Sequence, residues 1–480
     1  MSSPRPNAVD AIVVGSGPNG LAAALELARA GLRVEIFEGA ATPGGGCRTE
    51  ELTLPGFHHD VCSTVQSLVT LSPFFLGVDL ERRGVQLCTP EIAFAHPFDG
   101  GWAAAVEGSV AETAAGLGVD AAAYNRLFAP LVENASTILA SVLAPLRSVP
   151  RHPVPLARFA ISGLGSAAHL ARRFSTENAK GLLGGVAAHA MMPLDAPMTA
   201  AFGTVLTIAA HVGGWPLIKG GSARLVDALL GELADAGARM RTGHFVADVA
   251  ELPRAKAVLF DTSLEGFLAA AGERLSPRYK RAAGRFVHGP GICKVDWALS
   301  GPVPWAAPEC RRAGTVHLGG TFTEIAASEA DVAAGRHSDH PYCLVVQPGV
   351  VDASRAPVGQ QTLWAYCHVP RGSTVDMTPR IEAQIERFAP GFRDVVLARS
   401  TVTAAQAGAY NPNYVGGDIT GGAGTFRQTV FRPTVRWNPY RTGATGLYLC
   451  SASTPPGGGV HGMCGVGAAR AVLADLRRPR

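Results

Sequence analysis

Three glycines near the start of the chain are spaced so that their backbone can lie against a phosphate group. In a G-x-G-x-x-G pattern, successive glycines permit a tight turn, close approach of the backbone to a pyrophosphate, and close packing of a helix on a strand. Glu38 follows eighteen residues after the third glycine, where a carboxylate can accept two hydrogen bonds from an adenosine ribose. The pattern predicts a dinucleotide site, and a glycine-rich turn in an unrelated α/β protein is the alternative. The loop residues are Gly15, Gly17, Pro18, Asn19 and Gly20.

Two further glycine-rich loops could contact the same ligand. Gly45 and Gly46 precede Arg48, so backbone could press against a flat or anionic group while the guanidinium supplies positive charge. A surface turn is the alternative for this loop. Near the C-terminus, an apolar strand, a glycine loop and the start of a helix form a second corner suited to anions. The candidate binding residues there are Ser451, Ser453, Gly459, Val460 and Gly465.

A strand–helix–strand unit is predicted to position the first loop. The apolar run over residues 11–14 is typical of a parallel strand that is covered on both faces. A helix is predicted to begin at Pro18 and to end at Gly31, and a strand over residues 32–37 then brings Glu38 to the edge of the sheet.

Further elements that belong with this strand–helix–strand unit are predicted after a long insertion in the chain. Ser222 is the predicted N-cap of a helix that ends at Gly237, and strands are expected over residues 239–246 and 257–261. The sequence therefore predicts a parallel sheet that is built from separated parts of the chain.

Composition limits the classes of function. With 480 residues, 47% of them hydrophobic, the chain is long enough for two lobes. The net charge of +4 comes without a basic run, which argues against nucleic acid as a partner. Nine cysteines show neither C-x-x-C nor zinc-type spacing, which predicts reduced thiols, a cytoplasmic location, no metal site and no disulfide-reductase chemistry. The first strand is predicted within ten residues of the start, so no signal peptide is expected.

The order of these motifs resembles a known family. G-x-G-x-x-G, the acid, Gly-Gly-x-x-Arg and then Gly-Phe-x-x-Asp ending at Asp60 are similar to the FAD-dependent phytoene desaturase and carotenoid isomerase group, within the flavin amine oxidase superfamily. The resemblance implies FAD as cofactor, a C-terminal flavin segment, and a backbone contact between Val246 and the adenine. One departure is that Cys62-Ser-Thr stands where carotenoid desaturases usually have Gly-Pro-Thr, which leaves the substrate open.

The resemblance also implies a fold and its division. It implies an α/β protein with a Rossmann-type, GR2-like FAD-binding lobe and a second α+β substrate lobe that is inserted discontinuously. The FAD-binding lobe is expected to comprise residues 1–75, 216–288 and 425–480. The substrate or cap lobe is expected to comprise residues 76–215 and 289–424.

Two residues are candidates for catalysis. Strand alternation places Cys293 and Val295 on one face and Lys294 and Asp296 on the other. Lys294 resembles the lysine that amine oxidases hold near the flavin N5 through a water, where a cation stabilises reduced flavin. An exposed ion pair between Lys294 and Asp296 is the alternative. His461 is a candidate general base, with Asp60 and His59 as weaker ones.

The inserted region between residues 76 and 215 is predicted to be mainly helical. Residues 198–218 could be mistaken for a membrane span, but glycines and a proline interrupt the run and favour a buried helix. Five arginines mark one side of the preceding helices: Arg147, Arg151, Arg158, Arg172 and Arg173. They indicate either peripheral contact with a membrane surface or an ordinary solvated helix pair. By analogy with the family, this region covers an apolar tunnel for a hydrophobic substrate.

These patterns favour an FAD enzyme that removes hydride from, or isomerises, an apolar substrate. Flavin N5 would accept the hydride. Since no second strand–G-x-G-x-x-G–helix unit occurs, electrons are expected to pass to oxygen, a quinone or another carrier rather than to NAD(P). Amine oxidation is the second hypothesis, although it needs an aromatic cage for which the C-terminal segment offers only Tyr448. A non-catalytic prenyl-binding escort protein is the third.

Overall fold

A computed structural model describes residues 9–145 and 153–477. The strands are β1 Ala11–Val14, β2 Val34–Phe37, β3 Thr49–Glu50, β4 His59–Asp60, β5 Leu87–Cys88, β6 Ile92–Phe98, β7 Trp102–Val106, β8 Leu217–Ile218, β9 Arg239–Arg241, β10 Ala257–Phe260, β11 Gly291–Leu299, β12 Ala313–Leu318, β13 Cys343–Val346, β14 Gln361–Val369, β15 Val396–Val402 and β16 Leu447–Leu449. The predicted α/β class is therefore confirmed.

Helices occur in both lobes of the described chain. In chain order they are α1 Pro18–Arg29, α2 Val110–Ala115, α3 Ala121–Val132, α4 Ala135–Val142, α5 Pro153–Gly163, α6 Ala167–Ala171, α7 Glu177–Ala187, α8 Thr199–Gly213, α9 Ala223–Asp235, α10 Leu264–Ala271, α11 Pro277–Ala283, α12 Pro308–Arg312, α13 Phe322–Ala333, α14 Thr378–Phe388, α15 Ala404–Tyr410, α16 Phe426–Phe431 and α17 Met463–Leu476.

The nucleotide lobe is built on a parallel sheet with the strand order β16-β10-β1-β2-β9. All four residues of β1 are buried, as the unbroken apolar run predicts. The carboxyl ends of β1, β2 and β10 meet at one edge, so the glycine loop, Glu38 and Asp261 are brought together there. In such sheets ligands bind outside this edge.

Two elements of this lobe differ from the sequence predictions. The predicted strand over residues 239–246 ends at Arg241, because the chain turns at Gly243, where φ is +65°. Ser222 is the N-cap residue of α9, as predicted, but its side chain does not bond to the helix: its hydroxyl donates to the Ser63 carbonyl, and its backbone N–H donates to Asp60. The predicted helix ends are confirmed, since Gly31 and Gly237 follow α1 and α9 with left-handed backbone.

The second lobe contains a mixed sheet with the order β15-β11-β14-β13-β12-β6-β7. Its strands come from two separated segments, 92–106 and 291–402. Helices α2 to α8 cover one side, and their apolar residues form a core with β6 and β7. Helix α8 occupies the apolar run near residue 200 and is largely buried against α5 and α7, as predicted. Among the helices in the described residues, none has the length and hydropathy to cross a bilayer.

Candidate functional site

A cavity of about 1120 Å³ extends from the glycine loop of the nucleotide lobe into the helical part of the second lobe. Its volume slightly exceeds the roughly 300–1,000 Å³ of ordinary small-molecule sites. Most residues that the sequence analysis named line it: Gly15, Gly17, Pro18, Asn19, Glu38, Gly45, Gly46, Arg48, Val246, Ser451, Ser453, Gly459, Val460 and His461. Gly20, Gly465 and Lys294 are not among the described residues that form its wall.

The glycine loops create a surface of bare backbone at the start of α1. A Cβ on Gly45 would lie 2.9 Å from the Cα of Gly17, so the two loops touch at backbone level. Helix α1 has Gly17 as its N-cap, which has no side chain to cap the helix. A helix N-terminus beside bare glycine backbone suits a diphosphate. The arrangement fits the phosphates of a dinucleotide.

Glu38 lies at the edge of this surface, and hydrogen bonds from Ser16 and Ala40 fix its carboxylate. One carboxylate oxygen accepts from the backbone N–H and the hydroxyl of Ser16, and the other accepts from the Ala40 N–H. The second oxygen retains acceptor capacity toward the cavity, because a carboxylate has about four lone-pair sites. Arg48 lies 3.8 Å from it and donates to the carbonyl of Thr42. Glu38 thus has both the position and the free acceptor that a ribose requires.

Gly20 and Gly465 act in helix packing. A Cβ on Gly20 would lie 2.3 Å from the Gly15 carbonyl oxygen, and one on Gly465 would lie 1.9 Å from the carbonyl oxygen of Asn19. Helix α17 therefore packs directly on the backbone of α1. Both glycines bring the N-termini of these helices to the cavity, although neither lines it.

Asp261 is a cavity residue that the sequence analysis did not name as a site. It follows β10, and its carboxylate accepts from the Gly20 N–H at 2.7 Å. Burial raises the pKa of Asp261 to about 7, and the charge of Glu38 adds to the rise. The signal was present in the sequence, since an acid that directly follows a parallel strand must lie at the ligand-binding edge.

Lys294 forms a buried ion pair behind the cavity wall. It is 4% exposed, and its Nζ lies 2.6 and 2.5 Å from the two carboxylate oxygens of Asp296. It also donates to the Asp60 carbonyl, and it lies 5.3 Å from the ring centroid of Trp364, which does line the cavity. The alternative of an exposed pair is therefore wrong, because β11 is an interior strand of its sheet. A catalytic role for Lys294 remains a prediction.

His461 lines the cavity, but both of its ring nitrogens are engaged. Nδ1 accepts from the Met463 N–H, and Nε2 donates to the Gly457 carbonyl. Burial lowers the pKa of His461 to about 4, so the ring is neutral. The imidazole holds the glycine loop against the start of α17, and its role as a base remains a prediction.

The weaker base candidates lie elsewhere. Asp60 is bound to Arg355 at 2.9 Å and accepts from Thr49 and Ser222. His59 is buried beside Asp296. Neither belongs to the described cavity wall, so their contacts are those of structural groups.

The far part of the cavity is an apolar chamber between the two lobes. It is lined by Val142, Leu143, Phe159, Met191, Met198, Ala201, Phe202, Val205, Leu206, Trp215, Leu344 and Trp364. These side chains come mainly from α4, α5, α8 and the second sheet. The chamber suits a ligand that is bound through its apolar surface.

Two aromatic side chains of the cavity wall lie beside each other rather than on opposite sides. Trp364 and Tyr366 lie side by side on β14, with ring centroids 5.8 Å apart and planes 22° from parallel. Tyr448 is buried in the nucleotide lobe, where its hydroxyl donates to Asp475. The aromatic cage required for the amine oxidase hypothesis is therefore not formed by these residues.

One histidine of the chamber was missed by the sequence analysis. His189 lines the cavity, and its Nε2 lies 2.9 Å from Nε2 of His317. Burial lowers the pKa of His189 to about 3, so the pair is neutral and one ring donates to the other. A neutral imidazole at a cavity wall can donate or accept a hydrogen bond. Nothing in the local sequence distinguishes it from an ordinary core histidine.

The predicted arginine face is only partly described. Arg147 and Arg151 lie outside the described residues, whereas Arg158, Arg172 and Arg173 are exposed. On the same helix as Arg158, the apolar side chains of Val154 and Ile161 are also exposed, and Leu164 follows just after it. Phe159 points the opposite way, into the cavity wall.

Comparisons with known proteins agree with this architecture. Residues 13–69 match the profile of the NAD(P)-binding Rossmann-like domain. The chain is 26% identical to mouse pyridine nucleotide-disulfide oxidoreductase domain-containing protein 2, over 98% of this chain and 94% of that protein. An oxidoreductase from Methanosarcina mazei has a similar structure, with a TM-score of 0.65 at 16% identity, covering 98% of this chain and 100% of the other. Cyclohexylamine oxidase from Brevibacterium oxydans gives a TM-score of 0.60 at 15% identity, covering 98% and 100%. These structural similarities establish a shared fold.

Proposed function

We propose that this protein is an FAD-dependent oxidoreductase of the flavin amine oxidase superfamily, of the phytoene-dehydrogenase-like type, which dehydrogenates or isomerises an apolar substrate. The observation that carries the proposal is the single cavity, in which a dinucleotide-type backbone surface continues directly into an apolar chamber. A dinucleotide bound at one end would bring its reactive ring toward a substrate at the other.

The chain's own residues supply binding, orientation and exclusion of water. Glu38 would hold the adenosine ribose, and the start of α1 with the loop at Gly45 would hold the diphosphate. The loop from Ser451 to His461 would flank the remainder. When bound, FAD supplies a hydride acceptor at N5. The apolar chamber keeps water from the reacting atoms.

His189 is the group we propose to contact the substrate at the apolar end of the cavity, as a neutral hydrogen-bonding partner that helps to orient it. Its partner His317 fixes the ring through the 2.9 Å contact between their Nε2 atoms. Burial lowers the pKa of His189 to about 3, so the ring stays neutral near pH 7. Oxygen, a quinone or another carrier is proposed as the electron acceptor.

The test begins with the colour of the purified protein. The flavin absorbance of the protein as isolated, and after addition of FAD, decides whether a flavin is bound. Anaerobic addition of extracted cellular lipids is then expected to bleach the flavin. Bleaching by cyclohexylamine or putrescine, but not by lipids, would favour amine oxidation. A protein that stays colourless with added FAD would favour the escort hypothesis.

Peripheral membrane contact is proposed for the exposed side of α5. Val154 and Ile161 are 72% and 77% exposed, and Arg158 lies between them in sequence. Apolar side chains flanked by arginine suit the interface of an anionic membrane. In flotation with phosphatidylglycerol vesicles, the wild type is expected to float with the vesicles, whereas Ile161→Glu is expected to remain unbound. Val358→Glu, at another exposed apolar position, is the matched control, and equal capture of all three would refute the contact.

A further inference from the structure

Arg432 is a buried arginine in the cavity wall, and it forms no ion pair with an acid among the described residues. It is 5% exposed and follows α16. Its Nη2 donates to the Gly422 carbonyl at 3.0 Å, and the guanidinium lies 5.9 Å from the ring centroid of Phe286. Its Nε is buried and has no hydrogen-bond acceptor in the part of the chain that the structure describes. At least one donor of this planar group is therefore left for a ligand.

Asp418 is an acid whose charge acts on Arg432, but its carboxylate is engaged by other donors. Asp418 is itself buried and accepts from His288, Gly289, Thr420 and Gly422. The pKa of His288 is raised to about 9 by Asp418 and Glu265, despite opposing desolvation, so a cation already pairs with Asp418. Within residues 9–145 and 153–477, no carboxylate oxygen lies within 4.0 Å of the Arg432 guanidinium.

An unpaired buried cation is costly, so its presence calls for an explanation. Burial lowers the pKa of Arg432, as expected for a guanidinium removed from water. The cost of removing such an ion from water is offset when an anion with good geometry is bound. A ligand that enters the cavity can supply that anion.

The surrounding backbone leaves room for the guanidinium. A Cβ on Gly457 would lie 2.2 Å from its Nη1, and one on Gly422 would lie 2.9 Å from its Nη2. Both glycines have φ between +110° and +130°, a conformation that side chains rarely adopt. Two glycine positions thus form a slot for this side chain, between the C-terminal loop and the loop over residues 419–424.

The slot adjoins the apolar chamber. Gly424 lies two residues beyond the acceptor Gly422, and a Cβ there would be 3.0 Å from the ring of Phe202, a chamber residue. On the other side, Gly457 accepts hydrogen bonds from His461 and Cys464 at the start of α17. Arg432 is therefore placed where the glycine loop and the chamber meet.

We propose that Arg432 binds an anionic group at this junction. The ligand chemistry is a planar anion that can accept two hydrogen bonds from the guanidinium fork. It has two sources: a carboxylate on an otherwise apolar substrate, or negative charge that develops on the flavin. The second source rests on the proposed function, whereas the first requires only the cavity.

The carboxylate source is tested by binding without turnover. Trp215 and Trp364 line the chamber, so their fluorescence reports occupancy. Laurate is compared with dodecanol in the wild type and in Arg432→Met. The expected result is at least a tenfold weaker binding of laurate by the variant, with dodecanol changed less than twofold. Arg436→Met is the matched control, because Arg436 is a nearby arginine outside the described cavity wall.

The flavin source is tested with sulfite, which adds to flavin N5 and leaves negative charge on the ring. In the FAD-loaded protein, Arg432→Met is expected to weaken the adduct at least tenfold, while Arg436→Met leaves it unchanged. If Arg432→Met does not fold, Arg432→Gln takes its place, since the amide can keep the bond to Gly422.

The outcomes separate the two proposals. A tenfold loss of affinity for laurate or for sulfite supports anion binding by Arg432 and identifies the source of the anion. If the folded Arg432→Met variant binds both laurate and sulfite with wild-type affinity, the proposal for Arg432 is overturned, even when the protein contains bound flavin. A protein that binds no flavin overturns the proposed function, and the laurate experiment still decides on Arg432.

Discussion

Replacement of Asp261 by Asn is expected to change how FAD affinity depends on pH. The carboxyl lies at the start of α1, with Oδ2 2.7 Å from the Gly20 N–H, and its pKa is raised to about 7. Below pH 7 it is neutral and tolerates a diphosphate. Above pH 7 it carries a charge that repels the diphosphate, so the wild type should bind FAD more weakly as the pH rises.

The magnitude follows from proton linkage. If the loaded protein keeps Asp261 protonated, the dissociation constant rises about tenfold for each pH unit above 7, or roughly tenfold between pH 6 and 8 and a hundredfold by pH 9. A hundredfold corresponds to about 2.7 kcal/mol. Two unit charges about 6 Å apart interact by a similar amount, about 2.8 kcal/mol, at an effective dielectric constant of 20. The electrostatics can therefore supply the predicted change.

The assay is quenching of FAD fluorescence on titration of apoprotein from pH 6 to 9. Asp261→Asn should give a nearly flat profile. Riboflavin, which lacks the diphosphate, should show little dependence on pH with either protein. Equal slopes for wild type and variant would refute the placement of the diphosphate beside Asp261.

The same carboxyl affects the stability of the apoprotein. Since its pKa is higher in the folded than in the unfolded chain, the unfolded state binds fewer protons between about pH 4 and 7. Its contribution therefore lowers the free energy of unfolding as the pH rises through this window and levels off above it. Chemical denaturation of wild type and Asp261→Asn measures the difference.

Three further substitutions test other parts of the structure. Gly465→Ala should lower the free energy of unfolding by about 1–3 kcal/mol or more, because the new Cβ would lie 1.9 Å from the Asn19 carbonyl oxygen. An unchanged urea midpoint would contradict the close packing of α17 on α1. Lys294→Met should lower the free energy of unfolding by about 3–5 kcal/mol, because it leaves Asp296 charged and buried. The double variant Lys294→Met/Asp296→Leu should regain much of that stability, as measured by thermal unfolding. A stable single variant with slow flavin reduction would instead support catalysis by Lys294. Glu38→Gln should weaken FAD binding by about 1.5–3 kcal/mol, or roughly 10- to 150-fold, as measured by equilibrium dialysis, and unchanged affinity would remove Glu38 from the site.

The nucleotide lobe could be predicted because its signals are local. The glycine spacing, the apolar run of β1 and the acid after β2 all lie within thirty residues, and each constrains the backbone directly. The structure brings Gly15, Gly17 and Glu38 to one edge of the sheet, as their spacing predicts. The pairing of Lys294 with Asp296 also followed from strand alternation, since two residues on one face are neighbours.

The features of the site that the sequence does not predict depend on contacts between distant parts of the chain. Asp261 reaches Gly20 across 241 residues, and Arg432 is buried only because two glycine loops leave a slot around it. Gly465 was predicted to bind the cofactor, whereas its position is explained by the backbone of α1. Burial of Lys294 could not be predicted because one strand does not show how many neighbours its sheet gives it.

The close contact between α17 and α1 has a consequence for biosynthesis. Helix α1 gains its packing partner α17 only after most of the described chain has been made, and the edge of β10 stays unpaired until residues 447–449 arrive. During translation the nucleotide lobe thus carries an open sheet edge, which is a site for aggregation. Capture of the dinucleotide must wait until the cavity residues up to His461 have been made, and fragments that end before residue 447 should depend on chaperones and be degraded.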